Sequence, residues 1–194
     1  MTSQVQIANR ALTKLGQARI ISLDDPTKAA ATISSMYDSV LEAELRAHVW
    51  SFARARAQLP ALSSAPLFGF ERQYALPTDW LRLLQVADVR VHARRCYDEL
   101  YSIEGRNLQT NLAAPLQIRY IRRVEDPNQY DALFAEVLAC RLAVEACEDM
   151  TQSATKFQQV ASLYDRALRD AIRSNAVERP TQAIAEDTWL ASRR

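Results

Sequence analysis

Residues 40–58 read VLEAELRAHVWSFARARAQ, and the hydrophobic period changes inside this stretch. Up to Leu45 the apolar positions recur at steps of three and four. Ala29, Ile33, Met36, Tyr37, Val40, Leu41 and Leu45 trace one stripe of a helix of about five turns. Beyond His48 the step falls to two: Trp50, Phe52, Arg54, Arg56 and Gln58 alternate with smaller residues, which predicts a strand. A helix that hands over to a strand in this way argues for a mixed fold rather than an all-helical bundle.

Working outward, Val5, Ala8, Ala11, Leu12 and Leu15 predict a first helix over Ser3 to Leu15, with Gly16 as its stop. Asp24-Asp25-Pro26 offers a capping carboxylate directly before a proline, which predicts that the second helix starts there. Both helices carry a narrow apolar stripe, the pattern of an antiparallel pair joined by a short loop. Downstream, Pro60 to Pro66 reads as a loop. Strands are predicted over Phe70–Leu76, Val86–Val91, Tyr101–Glu104, Asn107–Thr110 and Gln117–Val124, with a hairpin turn at Glu104-Gly105-Arg106-Asn107. Asp126-Pro127 repeats the cap-plus-proline signal. After it Leu133, Val137, Cys140, Val144 and Cys147 form a heptad-like seam. A break at Thr151-Gln152-Ser153 precedes a last helix with Phe157, Val160, Ala161, Tyr164, Leu168, Ala171 and Ile172 on one face. The expected fold is α+β: an antiparallel helical bundle of four main helices, about 3–48 and 127–175, with a small, mostly antiparallel sheet inserted between the helix pairs over about 50–125. Residues 1–175 form one domain and 176–194 an extended C-terminal tail.

Composition excludes several function classes. The chain has 194 residues and only three glycines, Gly16, Gly69 and Gly105, so neither of the glycine-rich phosphate loops nor a G-x-S-x-G nucleophile elbow can form. His48 and His92 stand far apart with no metal-binding spacing around either. Three cysteines with no C-x-x-C, and two of them seven apart on one predicted helix, fit reduced thiols acting as small hydrophobes. Met-Thr-Ser-Gln-Val-Gln carries no signal-peptide pattern and no apolar run is long enough for a membrane span, so synthesis in the cytoplasm and no membrane partner are expected. Asp24 and Asp25 read as caps, and Glu42 and Glu44 point to different faces of a helix. His48 beside Trp50 reads as a structural histidine, with a general base as the remote alternative. No nucleophile, base and orienting group assemble from local spacing, so the expectation is a protein without catalysis, metal or cofactor.

Charge is unevenly placed. Net charge is +1, but the 24 cationic residues divide into 21 arginines and three lysines. Residues 50–125 hold eleven arginines against seven acids, and residues 126–175 hold eight acids against five bases. Coding bias or a recognition role accounts equally for arginine over lysine. Arg54, Arg56, Arg94, Arg95, Arg122 and Arg123 are candidates for a subunit or DNA-channel surface, the alternative being ordinary solvated and ion-paired residues. Near the C-terminus, Trp189 and Leu190 followed by Arg193 and Arg194 lie outside every periodic segment. They either dock on a partner or fold back on the helices.

The order of several motifs resembles the tail tubular protein A and tail accessory factor families of short-tailed bacteriophages. The carrying residues are Asn9-Arg10-Ala11-Leu12 with Leu15-Gly16, then Ile20-Ile21-Ser22-Leu23-Asp24-Asp25-Pro26-Thr27-Lys28-Ala29-Ala30. To these are added Tyr37, Val40, Leu41, Glu44, Leu45, Arg46, His48, Trp50, Phe52-Ala53 and Tyr74-Ala75-Leu76-Pro77-Thr78-Asp79. The resemblance implies a virion protein at the head–tail junction that forms a ring with copies of itself, twelve subunits in such families. It joins the portal protein to a distal nozzle or tail-tube protein and surrounds double-stranded DNA in transit. It also implies that the C-terminal segment, with Trp189, Leu190, Arg193 and Arg194, docks on the portal. The alternative reading is a helical DNA-binding protein using the arginine-rich middle region. A small cytosolic enzyme whose acid and base groups converge only in three dimensions is a further rival.

Overall fold

The computed structural model describes residues 2–87, 89–90 and 100–178. Helix α1, Gln4–Leu15, opens with a capping box: the Ser3 hydroxyl accepts from the Gln6 amide, and the Ser3 amide donates to the Gln6 side chain. It ends where Gly16 turns left-handed at φ 75°, a conformation open to glycine without steric cost. The following segment is held by Asn9, whose side chain donates to the Ile20 carbonyl at 2.9 Å and accepts from the Ile20 amide at 2.8 Å.

Helix α2, Lys28–Ala47, is capped by Thr27 rather than by the Asp24-Asp25-Pro26 segment. The Asp25 carboxylate is already engaged, accepting from the Ile21 and Ser22 amides and closing the loop before the helix. The strand expected from residue 50 begins later, as β1, Arg54–Leu59. Trp50-Ser51-Phe52-Ala53 forms a turn, because both rings are drawn into the helical core against Phe134, at centroid distances of 5.0 and 4.9 Å.

Six further strands follow: β2 Arg72–Ala75, β3 Trp80–Val86, β4 Val89–Arg90, β5 Tyr101–Glu104, β6 Asn107–Thr110 and β7 Leu116–Arg122. The hairpin at Gly105 is as expected, and Gly105 has φ 58°. The strand expected over Val86–Val91 is instead the end of β3, a turn through Ala87, and the short β4. All pairings are antiparallel, but there are two sheets rather than one: β1-β7-β3-β4 and β2-β6-β5. Leu59, Leu83, Val86, Leu116, Ile118 and Tyr120 of the first form a core with Tyr74 and Leu108 of the second.

Asp126-Pro127 starts a single 3-10 turn, Pro127–Gln129, not the long helix. Helix α3, Ala132–Thr151, is capped five residues later by Asp131, whose carboxylate accepts from the Leu133 and Phe134 amides. Helices α1, α2 and α4, Ala154–Val177, all pack on α3. The direct pairing expected of α1 with α2 is replaced by packing of each on α3. Surrounded in this way, α3 buries Phe134, Val137, Leu138, Leu142, Ala143 and Cys147 on several sides, wider than a heptad seam. Leu133, expected within that seam, stays 38% exposed. No described helix is long and apolar enough to cross a membrane.

Candidate functional site

The four-stranded sheet has two unlike faces. Along β1 the residues Ala55, Ala57 and Leu59 point to the inter-sheet core, whereas Arg54, Arg56 and Gln58 are exposed on the other side. Register places Arg56 opposite Arg119 of β7, Arg119 opposite Gln85 of β3, and Gln85 opposite Arg90 of β4. One row, Arg56–Arg119–Gln85–Arg90, therefore crosses the whole sheet. In the next row out Gln58 pairs with Gln117, and both side chains are exposed. The four strands contain six arginines, three glutamines and no acidic residue.

Several other arginines are engaged inside the subunit. Arg123 bridges Asp38 at 3.2 Å, Glu42 at 2.9 Å and Glu125 at 3.6 Å, tying the end of the sheet to α2. Arg122 donates to the Gln129 side chain at 2.7 Å. Arg82 donates to the carbonyls of Arg46 and Ala47 at the C-terminus of α2, while Arg46 donates to the Leu81 carbonyl. Arg54 is exposed at the start of β1. Arg94, Arg95, Trp189, Leu190, Arg193 and Arg194 lie outside the described residues.

Arg56 and Arg119 differ from these. Neither side chain makes a hydrogen bond or ion pair among the described residues, and two like charges directly opposite each other in an antiparallel pair oppose folding. Arg119, Arg90 and Gln85 were not singled out in the sequence. The available signal was the matched alternation in Arg54-Ala55-Arg56-Ala57-Gln58 and Gln117-Ile118-Arg119, which becomes a surface only once the register is known.

A second polar cluster is buried between α2, α3 and α4. Glu44, only 4% exposed, accepts from the Tyr164 hydroxyl at 2.8 Å and lies 3.8 Å from the Arg141 guanidinium. Its other oxygen, Oε2, has no hydrogen-bond partner among the described residues. Arg141 also pairs with Glu145 at 2.6 Å and sits 5.5 Å above the Tyr164 ring. Burial pushes the Glu44 carboxyl above its ordinary range, against the lowering effect of Tyr164 and Arg141. Burial likewise raises Tyr164, so its hydroxyl stays protonated and donates. His48 meets the Trp50 ring edge-on at 5.7 Å, and the Trp50 indole donates to the Glu44 carbonyl.

Several cavities are open to solvent. One, about 570 Å³, lies along α1 and is lined by Asn9, Arg10, Lys14, Arg19 and Glu136, with Lys14 and Arg10 both paired to Glu136. Another, about 190 Å³, is lined by Trp50, Phe52, Tyr130, Asp131 and Glu178 among others. Among the described residues no group of three or more His, Cys, Asp or Glu side chains is placed to hold a metal ion. Cys140 and Cys147 are buried free thiols, and burial raises the Cys140 thiol.

Neither a scan of protein-family models nor a search of curated proteins gives a match to this chain. Its surface chemistry is thus the ground for a functional reading.

Proposed function

We propose that the chain is a structural protomer: a head-to-tail adaptor of a tailed bacteriophage that forms a ring, joins the portal to the distal tail and surrounds DNA in transit. The observation that carries this reading is the state of α4. Of its 24 residues only Val160 and Ala171 are buried, while Phe157, Leu163, Ile172 and Val177 stand open to solvent. The loop tip Leu67-Phe68 and Ile21 expose further apolar side chains elsewhere on the subunit. Apolar side chains on separate surfaces suit heterologous contacts, in which each subunit presents two different patches and closure gives a ring. In this reading Trp189, Leu190, Arg193 and Arg194 dock on the portal, and the ring has twelve subunits.

Mass photometry and negative-stain electron microscopy of the purified protein, alone and mixed with its portal, test the reading. Rings, or decoration of the portal, are expected. Strictly monomeric protein that ignores the portal overturns it. Deleting residues 186–194 is expected to preserve the fold and abolish portal attachment. The second reading, a DNA-binding protein using the arginine-rich middle region, is favoured by Arg56 and Arg119, whose side chains have no partner among the described residues.

A further inference from the structure

We infer that the outer face of the four-stranded sheet is a binding surface for the phosphodiester backbone of duplex DNA, centred on the opposed Arg56 and Arg119. This deepens the DNA-contact part of the proposed function by assigning the surface, and it requires neither ring formation nor a portal.

Three observations converge on this occupant. First, the open part of the face consists of donors. Arg56, Arg119, Gln58 and Gln117 lie on it, with no acid in any of the four strands, while Ile121 at the other end of the same face packs into the helical core. A protein partner would be expected to meet an apolar centre with a polar rim, which this face lacks. Second, the spacing is regular. Neighbouring strands lie about 4.8 Å apart, so the row from Arg56 through Arg119 to Gln85 spans roughly 10 Å. A duplex offers a phosphate about every 3.4 Å of axis on each strand, so such a row meets several phosphates in any register. Recognition of this kind is independent of base sequence, because phosphate contacts position a duplex without reading it. Third, the Arg56–Arg119 opposition costs folding stability and is relieved by a shared anion between the two guanidiniums. The internally paired Arg122 and Arg123 are not part of the surface, although they share its charge.

The test uses the full chain and a fluorescein-labelled 24-base-pair duplex of mixed sequence, followed by fluorescence anisotropy across a salt series. For the R56Q/R119Q variant the slope of log affinity against log salt is expected to fall by about 1.8, since each phosphate contact contributes about 0.9. Between 50 and 200 mM salt those two contacts account for about a 12-fold change in affinity. Arg173→Gln, on the exposed side of α4, is the control and should leave binding unchanged. Thermal melting supplies the second readout. Because the substitutions remove a repulsion, the midpoint of R56Q/R119Q should be no lower than that of the parent.

Absence of duplex binding by the parent chain, or an unchanged salt slope in the variant, overturns the inference. A lowered melting midpoint in the variant also overturns it, since the arginines would then serve the fold. Salt-sensitive self-association without any duplex binding assigns the face to a second copy of the chain and likewise overturns it. Portal attachment is measured separately, so either reading can fail alone.

Discussion

Replacing Tyr164 with phenylalanine removes one oxygen, and with it the 2.8 Å hydrogen bond to a nearly inaccessible carboxylate. Among the described residues Glu44 would keep the Arg141 guanidinium at 3.8 Å, and its Oε2 has no hydrogen-bond partner there even in the parent protein. A hydrogen bond to a buried charged group is worth about 1.5–3 kcal/mol, against about 0.5–1.5 for a neutral pair. In a chain of this size that loss lowers the Tm by about 3–12 °C. In a Glu44→Gln background the tyrosine still donates to an amide oxygen, and Arg141 retains Glu145. The same substitution should cost about 1 kcal/mol less there, which is the coupling energy of a double-mutant cycle. The pH dependence has a definite sign. Glu44 titrates above its ordinary value of 4.5 in the folded protein, so the native state holds this proton more tightly than the unfolded chain. Its contribution to folding is full below 4.5 and is lost as pH rises through the raised folded-state value. Glu44→Gln removes that slope. The Tyr164→Phe penalty should grow over the same interval as the carboxylate ionises. Urea denaturation of the parent, both single variants and the double variant, repeated from pH 4.5 to pH 8, measures all of this. A Tyr164→Phe penalty that is equal in both backgrounds and flat with pH would refute the argument.

Further outcomes are expected elsewhere. Gly16→Ala should lower stability by about 1–2 kcal/mol in thermal or urea melts, because φ is 75° and nothing lies within 4 Å of the added Cβ, so backbone strain acts alone. Asp131→Ala removes the acceptor at the start of the central helix and should cost about 1–2 kcal/mol by the same melts. Arg123→Gln breaks three partly solvated ion pairs, and a loss under about 1 kcal/mol is expected, shrinking further with added salt. Cys140 and Cys147 should resist a thiol reagent in the native protein and react fully in denaturant, with Ellman titration as the assay.

How far the fold could be read ahead depended on how local its causes were. The helix–sheet–helix order, the Gly16 stop and the Gly105 hairpin follow from neighbouring residues, and all three hold. The cap-plus-proline signals failed for a common reason. An aspartate accepts from whichever amides are nearest, and Asp25 serves the amides behind it while Asp126 serves a single 3-10 turn. Trp50 and Phe52 alternate as a strand would, yet the aromatic cluster with Tyr130 and Phe134 claims them. That contact joins positions some eighty residues apart, and no local period encodes it. The candidate site divides in the same way. Arg54 and Arg56 were visible as an alternating pair, whereas the partnership of Arg56 with Arg119 depends on strand register. The internal pairing of Arg123 depends on where α2 lies against the sheet.

The imbalance of arginine over lysine acquires a partly structural cause. Arg82 holds two carbonyls at the end of α2, and one nitrogen of Arg106 serves the Pro77 and Thr78 carbonyls at 2.6 and 3.0 Å. Arg72 reaches the Asn111 carbonyl, and Arg123 spans three carboxylates. A planar fork with five donors can serve several acceptors at once, where a lysine presents a compact charge on a flexible stem. These arginines clip the sheets to their loops and to α2, and they need no ligand to account for them. Arg56 and Arg119 have no such acceptor among the described residues, and they face each other across a strand pair. Arginine content alone would have assigned all of these residues to one surface. Separating those whose donors are filled from those whose donors are open leaves Arg56 and Arg119 in the four-stranded sheet, and their opposition is what an anion from outside would relieve.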